Sequence, residues 1–416
     1  MQQQGLTILI TNNTLAAPAG TECYVVTLAR YLRDTGHFPI AYSTQHGAIA
    51  EKLKSLGVLV VNNLEALTIE PDIIHGHHHL DTACALARFP RTPAIAFNHG
   101  VVPWEEASFP PIERIYRYVT VSRVPTKRVY TEGITRERTA YLPNFVDADE
   151  FLADFRTKQQ RTHGSPRALV YGNYPHKGLH LIESACRKQG FVLDMAGYAF
   201  GQTVSEPSAL LPSYDLVFAT GKAAMEALYC GAEVILSGPH GFGSHVTSAN
   251  FASLYDQNFG FATSCQPPTE SSVNEALHSA HRMIHSGSRG VADELIAGMS
   301  HRQVLPSLVA LYGEAIAHWQ SHSPSIQHQT EEEYAAFSRY LRFLQTSRFH
   351  DQELARTNQL LRTEQELASL YNELGVLHQN PFAYAYLWVS RRIITHLSNL
   401  LDRRHWRRAT DLPTRR

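Results

Sequence analysis

The sequence contains no run of about 18 apolar residues, so nothing in it reads as a bilayer-spanning helix. Cysteine is scarce. The five, Cys23, Cys84, Cys186, Cys230 and Cys265, are odd in number, widely spaced and without a CxxC pair. That pattern argues against a disulfide framework or a cysteine-built zinc site and fits a reducing compartment. An excess of charge is also lacking. Lys plus Arg is 37 and Asp plus Glu 38 in 416 residues, a net charge of -1. A general nucleic-acid binder would carry a strongly basic field, so no nucleic-acid partner is expected. The opening MQQQGLTILI has neither a basic n-region nor a cleavage site and does not read as a signal peptide. The expected location is cytoplasmic.

The balance hides an asymmetry. Residues 380–416 hold eight Arg, no Lys, and only Asp402 and Asp411 as acids, a local charge of +6. A basic tail on a mildly acidic body suggests a surface contact made by the tail.

What is abundant is alternation of apolar runs with helical patterns. LTILIT (6–11) reads as a buried strand and residues 21–34 as a helix, with Val25, Leu28, Ala29 and Leu32 at helical spacing. FPIAYS, VLVVN, DIIHG, AIAFNH and YVTVS follow as strands. Such alternation predicts a parallel sheet covered on both faces, here a Rossmann-like domain over residues 1–150. A polar linker precedes a second unit over 151–320, in which RALVYG, FVLDMAG, YDLVFAT and AEVILSG are strands and 177–189 and 223–230 helices. The predicted fold class is α/β, two Rossmann-like domains with a facing cleft, where ligands of open α/β sheets bind.

Residues 321–416 read as a helical extension. Leu360, Leu367 and Leu374 repeat at seven, as do Leu354, Leu361 and Ala368. This short heptad stripe over 354–374 suits either self-association or packing on the body. Beyond Pro381, aromatic and aliphatic residues flanked by Arg pairs suit an interfacial helix on an anionic membrane, or a solvated basic tail.

Several segments carry candidate chemistry. AAPAGTE (16–22) leads from the first strand into a helix, where Gly20 can let backbone approach a phosphate. Taken alone it equally reads as an ordinary turn. His75, His77, His78 and His79 form HGHHH. Strand residues alternate in facing and no carboxylate completes a ligand shell, so cleft lining is favoured over a metal, and no metal site is expected. His99 ends another apolar strand, the place for a catalytic or substrate-contacting group, or for a histidine satisfied in a loop. In YGNYPHKGLHLI, Lys177 lies at a helix mouth and can neutralise a diphosphate, or be merely solvated. In YDLVFATGKAAMEALYCGAEVILSG, Thr220, Gly221 and Lys222 turn into a helix that carries Glu226. A glutamate there can accept both hydroxyls of a ribose, or act only as a surface charge.

Together and in this order, over about residues 5–318, these segments resemble the GT-B glycosyltransferases, specifically the family-four-like group. AGTE with LARYLRDTGH is similar to the family's N-terminal loop and first helix. PDIIHGHHH and FNHG are similar to its histidine-bearing strand ends. VTVSRVPTKRVYTEGI and YLPNFVD resemble the segment before its interdomain linker, with Ser122, Asn144 and Asp147 in place. HKG and GKAAMEALYCGAEVI resemble its donor-site segments.

The resemblance implies transfer of a sugar from a nucleotide-diphosphate sugar, needing no separate cofactor because the donor is a substrate. The acceptor would be a cell-surface glycan or lipid-linked molecule, with anomeric configuration retained. Glu226 would hold the ribose and Lys177, with Gly178, the diphosphate. Gly20 would let the first-domain loop close over the phosphates, and His99 would contact the donor sugar. Gly221, Lys222 and Asn173 fall within the donor-binding segments. Three positions depart from the family pattern: Phe218 replaces the first of two glutamates, Asn173 an arginine and Ala19 a glycine. Lys222 is positioned to supply the lost positive charge. The basic tail resembles extensions of bacterial enzymes that build surface polysaccharides, which implies a peripheral place on the inner face of the cell membrane. Two other readings remain: a degenerate donor-binding scaffold, and a sugar-nucleotide epimerase.

Overall fold

The structure is a computed structural model that describes residues 5–100, 104–123, 126–151, 164–202, 204, 206–322 and 329–344. The chain divides into two compact units, Met1–Arg339 and Tyr340–Arg416. The heptad stripe over 354–374 and the basic tail over 380–416 lie outside the described residues.

The first part runs β1 (Thr7–Thr11), α1 (Gly20–Asp34), β2 (Phe38–Tyr42), α2 (Ala48–Ser55), β3 (Leu59–Val61), β4 (Ile73–His77), α3 (His79–Arg88), β5 (Ala94–Asn98), β6 (Ile115–Thr120), α4 (Thr126–Thr131) and β7 (Thr139–Tyr141). Its seven strands, all parallel, lie in the order β3-β2-β1-β4-β5-β6-β7. The second part runs β8 (Arg167–Tyr171), α5 (Leu179–Lys188), β9 (Val192–Ala196), α6 (Pro207–Leu210), β10 (Leu216–Ala219), α7 (Gly221–Tyr229), β11 (Glu233–Gly238), β12 (Gly241–His245), α8 (Phe251–Tyr255), α9 (Glu270–Ser286) and α10 (Asp293–Ala297). Its five strands lie in the order β12-β11-β10-β8-β9, with only β12 antiparallel. Helices cover the parallel strands on both faces, so the strands are nearly all apolar and buried. Ile8, Leu9 and Ile10 of β1 and Leu216, Val217 and Phe218 of β10 are fully buried.

The short strand β7 and the antiparallel β12 are additions to the expected strand set. Three residues are too few to show a period, and GFGSH in β12 has no apolar run. The glycines serve close approach: a Cβ on Gly243 would stand 2.3 Å from the Thr263 carbonyl oxygen.

A long helix, α11 (His301–His322), follows α10. It lies within the stretch read as the second unit, yet Val304, Leu305, Leu308, Tyr312 and Ala315 pack in one core with Ile8 and Ile10 of the first sheet and Val25 of α1. The chain therefore crosses between the sheets twice, and the crossings are tied together. The Val146 amide donates to the Met299 carbonyl (2.8 Å), the His301 amide to the Val146 carbonyl (2.8 Å), and the Ala148 amide to His301 Nδ1 (3.0 Å). Asp147, matched above to a family segment, accepts from Thr27 Oγ1 (3.0 Å) and from Arg30. Its role is in this crossing. A further polar lock joins the parts where the Arg123 Nε donates to Asp256 (2.8 Å) and the Tyr255 hydroxyl to the Asn144 carbonyl (2.7 Å).

A candidate nucleotide-sugar site at two sheet switch points

Strand order locates the site. In the second sheet the connection from β8 goes outward to β9, while β10 and β11 build on the other side. The loops after β8 and β10 therefore flank a crevice at their carboxyl ends, the usual ligand position in an open α/β sheet. The loop after β8 carries Asn173, Lys177 and Gly178; the loop after β10 opens α7 with Gly221 and Lys222. In the first sheet the corresponding reversal lies between β1 and β4, whose loops lead to Gly20 and to His78.

On the second-sheet side, Gly221 starts α7 at φ +60°, a conformation that favours glycine, with its amide donating to the Phe259 carbonyl (2.7 Å). One turn on, Glu226 is buried, and Lys222 Nζ stands 3.9 Å from its Oε1. Burial pushes the Glu226 carboxyl up to about 7. Lys222 opposes the rise, and Glu150 and Asp147 add to it. In the neighbouring loop the Lys177 amide donates to the Gly238 carbonyl (3.0 Å), leaving the side chain exposed, and His176 Nδ1 meets Ser237 Oγ at 3.1 Å. Gly178 caps α5 at φ +72°, against Pro268. Asn173 is exposed, and its Oδ1 accepts from the Tyr198 amide at 3.3 Å.

The first-sheet side faces these groups. Gly20 is exposed at the start of α1, and a Cβ built on it meets nothing within 4 Å. Glu22 lies buried one residue after Thr21, whose hydroxyl donates to it at 3.1 Å. Lys222 and Glu226 both act electrostatically on Cys23, in the same turn of α1, and Glu226 and Cys23 both act on Tyr171 at the end of β8. The two domains thus bring Cys23, Tyr171, Lys222 and Glu226 close enough to act on one another, with Gly20 in the same turn as Cys23.

His99 lies at the first-sheet strand end within electrostatic reach of Lys222. Its backbone amide donates to Glu106 Oε2 (2.7 Å), which holds the strand end in place. Desolvation, with His78 and Lys222 beside it, pushes the His99 imidazole down to about 3. Inward of it lies a chain of short hydrogen bonds: His99 Nε2 to His77 Nδ1 (2.7 Å), His77 Nε2 to His75 Nε2 (2.7 Å), and His75 Nδ1 to the Tyr312 hydroxyl (2.6 Å). His75 and His77 are fully buried, which corrects their reading as cleft lining. Residues two apart on a strand share a face, so their adjacency was legible in HGH. Tyr312 carried no such signal. Gly76 between them faces α3, where a Cβ would meet Thr82 Oγ1 at 2.4 Å. His78 then turns the chain at φ +61°, rare for a non-glycine residue, and accepts from the Asn13 amide at 3.2 Å.

Phe218 lies fully buried in β10, packed with Val170, Ile182 and Leu277, so that position presents nothing to the cleft. Among the described residues, Asp147, Asp149 and His301 are close enough together to share an ion. Arg30 reaches Asp147 and Arg302 reaches Asp149, so the two carboxylates are already neutralised.

No protein-family model matches the chain, and no curated protein matches its sequence. Solved structures do match. A glycosyltransferase from Rickettsia africae ESF-5 superposes with a TM-score of 0.56 at 15% identity, over 76% of this chain and 99% of that one. A sucrose-phosphate synthase from Thermosynechococcus elongatus does so with a TM-score of 0.51 at 11% identity, over 75% and 99%. The chain has the GT-B fold. Identities this low show the fold alone, and chemistry resides in the site that a fold carries.

Proposed function

We propose that the protein is a glycosyltransferase that moves a sugar from a nucleotide-diphosphate sugar to an acceptor hydroxyl. The observation that carries this reading is the Lys222–Glu226 pair at the second switch point, in electrostatic reach of Cys23, whose turn of α1 begins at the open backbone of Gly20. Glu226 would accept the ribose hydroxyls. Lys222, Lys177 and the amino ends of α5 and α7 would draw the diphosphate, with Gly178, Gly221 and Asn173 shaping the loops around it. His99 would contact the donor sugar.

In the reaction the bond from the sugar's anomeric carbon to the diphosphate breaks, and the diphosphate leaves with the electron pair. The acceptor oxygen bonds to the same carbon, and its proton passes to the departing phosphate. Retention of configuration fits such a same-face transfer. The chain's contribution is positional and electrostatic. No metal or further cofactor enters the proposal.

The acceptor is taken to be a cell-surface glycan or a lipid-linked molecule. The basic residues 380–416 would hold the enzyme at an anionic membrane on the cytoplasmic side, and residues 354–374 would mediate self-association. No helix among the described residues is long and apolar enough to cross a membrane. Vesicle binding by the full chain and by a chain ending at residue 379 tests the tail; equal binding refutes its role.

The central test is a thermal-shift panel of UDP, GDP, ADP, CMP and their sugars, with Glu226→Ala as control. A ligand that binds only the folded chain must raise its stability. Stabilisation by one nucleotide, lost in the variant, supports the reading and identifies the donor class. Absence of any shift refutes it.

A further inference from the structure

The chain from His99 to Tyr312 has a direction that hydrogen-bond accounting can settle. Each of its three links holds one proton, and a neutral imidazole donates from one nitrogen and accepts at the other. The chain therefore runs wholly one way or wholly the other. Burial, with neighbouring imidazoles adding to it, holds His75 and His77 well below the usual histidine range, so both are neutral near neutral pH, as is His99.

The Tyr312 end decides the direction. Tyr312 is fully buried and its hydroxyl meets His75 Nδ1. Tyr24, whose ring packs against His75, His77 and His99, has a buried hydroxyl without a partner among the described residues, so it does not take the Tyr312 proton. If the chain ran toward Tyr312, His75 Nδ1 would donate and the phenol proton would be left buried with no acceptor among the described residues, at the full desolvation penalty. Running outward, Tyr312 donates to His75 Nδ1, His75 Nε2 donates to His77 Nε2, and His77 Nδ1 donates to His99 Nε2. All three links are then satisfied. The proton of His99 must sit on Nδ1, which has no partner among the described residues and is not sealed from solvent.

We propose that Tyr312 is a positioning residue which, through His75 and His77, holds His99 as the Nδ1–H tautomer, so that His99 offers the cleft a hydrogen-bond donor and not a base. The group it recognises is an oxygen bearing a lone pair, such as a sugar hydroxyl or a phosphate oxygen. The ligand class rests on the transferase reading; the tautomer does not. Tyr312 is supplied by α11, the helix that returns from the second sheet, and lies 237 residues from His75 in the chain. The interdomain return thereby sets the chemistry of a residue on the first sheet.

The test is two-bond proton–nitrogen NMR of the full chain labelled with 15N-histidine, without ligand, near neutral pH. The His99 resonance is assigned by its loss in His99→Ala. The expected pattern has His99 and His77 protonated at Nδ1 and His75 at Nε2. A His99 protonated at Nε2 overturns the proposal. In Tyr312→Phe the single tautomer of His99 should be lost. In His75→Gln it should persist, because the glutamine carbonyl can accept from Tyr312 while its amide donates to His77. An unchanged His99 in Tyr312→Phe, or its loss in His75→Gln, overturns the assignment of direction. Should Tyr312→Phe fail to fold, the native spectrum and His75→Gln still decide. An expected tautomer in a protein that binds none of the nucleotides would refute the transferase reading and leave the tautomer assignment standing.

Discussion

Glu226 gives the protein a pH signature that can be worked out in advance. Its carboxyl stands at about 7 in the folded chain against an ordinary 4.5, because burial strips it of water. The folded chain therefore holds this proton more tightly than the unfolded chain. The stability so contributed is whole below about pH 4.5 and is lost as the pH rises through about 7. The gap between 4.5 and about 7 corresponds to about 3 kcal/mol at most. A nucleotide whose ribose donates two hydroxyls to this carboxylate needs it ionised. Binding should then expel a proton below about pH 7, weaken by about tenfold per unit as the pH falls, and level off above. Isothermal titration calorimetry in two buffers of different ionisation enthalpy counts that proton directly. In Glu226→Gln both the pH dependence of binding and this part of the pH dependence of stability should vanish. Nucleotide affinity that is flat with pH in the native protein, or that keeps its slope in Glu226→Gln, would refute the assignment of Glu226 to the ribose.

Three further outcomes follow from individual contacts. Gly20→Ala adds a methyl that meets no protein atom within 4 Å, so it should stabilise the chain by about 0.4–1 kcal/mol. It should also weaken nucleoside diphosphate binding by about tenfold or more, because phosphate would approach there; unchanged affinity in a titration would remove Gly20 from the site. Lys222→Ala should weaken diphosphate binding by about tenfold and raise the Glu226 value further, since Lys222 is the cation that opposes its rise. Both are read from titrations across pH, and unaltered affinity refutes the role given to Lys222. Arg114 is 1% exposed and donates to the carbonyls of Leu86, Phe89 and Thr92 and to Glu333. Arg114→Ala should cost about 3–5 kcal/mol, because it strands these acceptors and a carboxylate. A urea-unfolding loss below about 1 kcal/mol would show the network to be dispensable.

The parallel sheets were legible because burial on both faces demands continuous apolar runs, as in LTILIT and LVFA. The helix starts at Gly20 and Gly221 were legible within a residue or two of the expected bounds, because glycine marks the turn. The places of the candidate residues in the fold, Lys222 and Glu226 in the first turns of α7 and His99 just past β5, were legible from the same local patterns. Local pattern could not convey the antiparallel β12, whose pairing rests on close backbone approach at its glycines. It also could not convey which sheet α11 covers, since an apolar helical face fits either core.

The sequence by itself determined the alternation of strands and helices and the polar groups at their carboxyl ends, because periodicity and turn chemistry act over a few residues. Tertiary structure alone decided what those groups are. Glu226 holds its proton to about 7 because other elements exclude water from it. The buried chain that His99 meets ends on a tyrosine supplied by a distant helix. Desolvation and hydrogen-bond direction belong to the assembled surroundings of a side chain, and no stretch of neighbouring residues contains them.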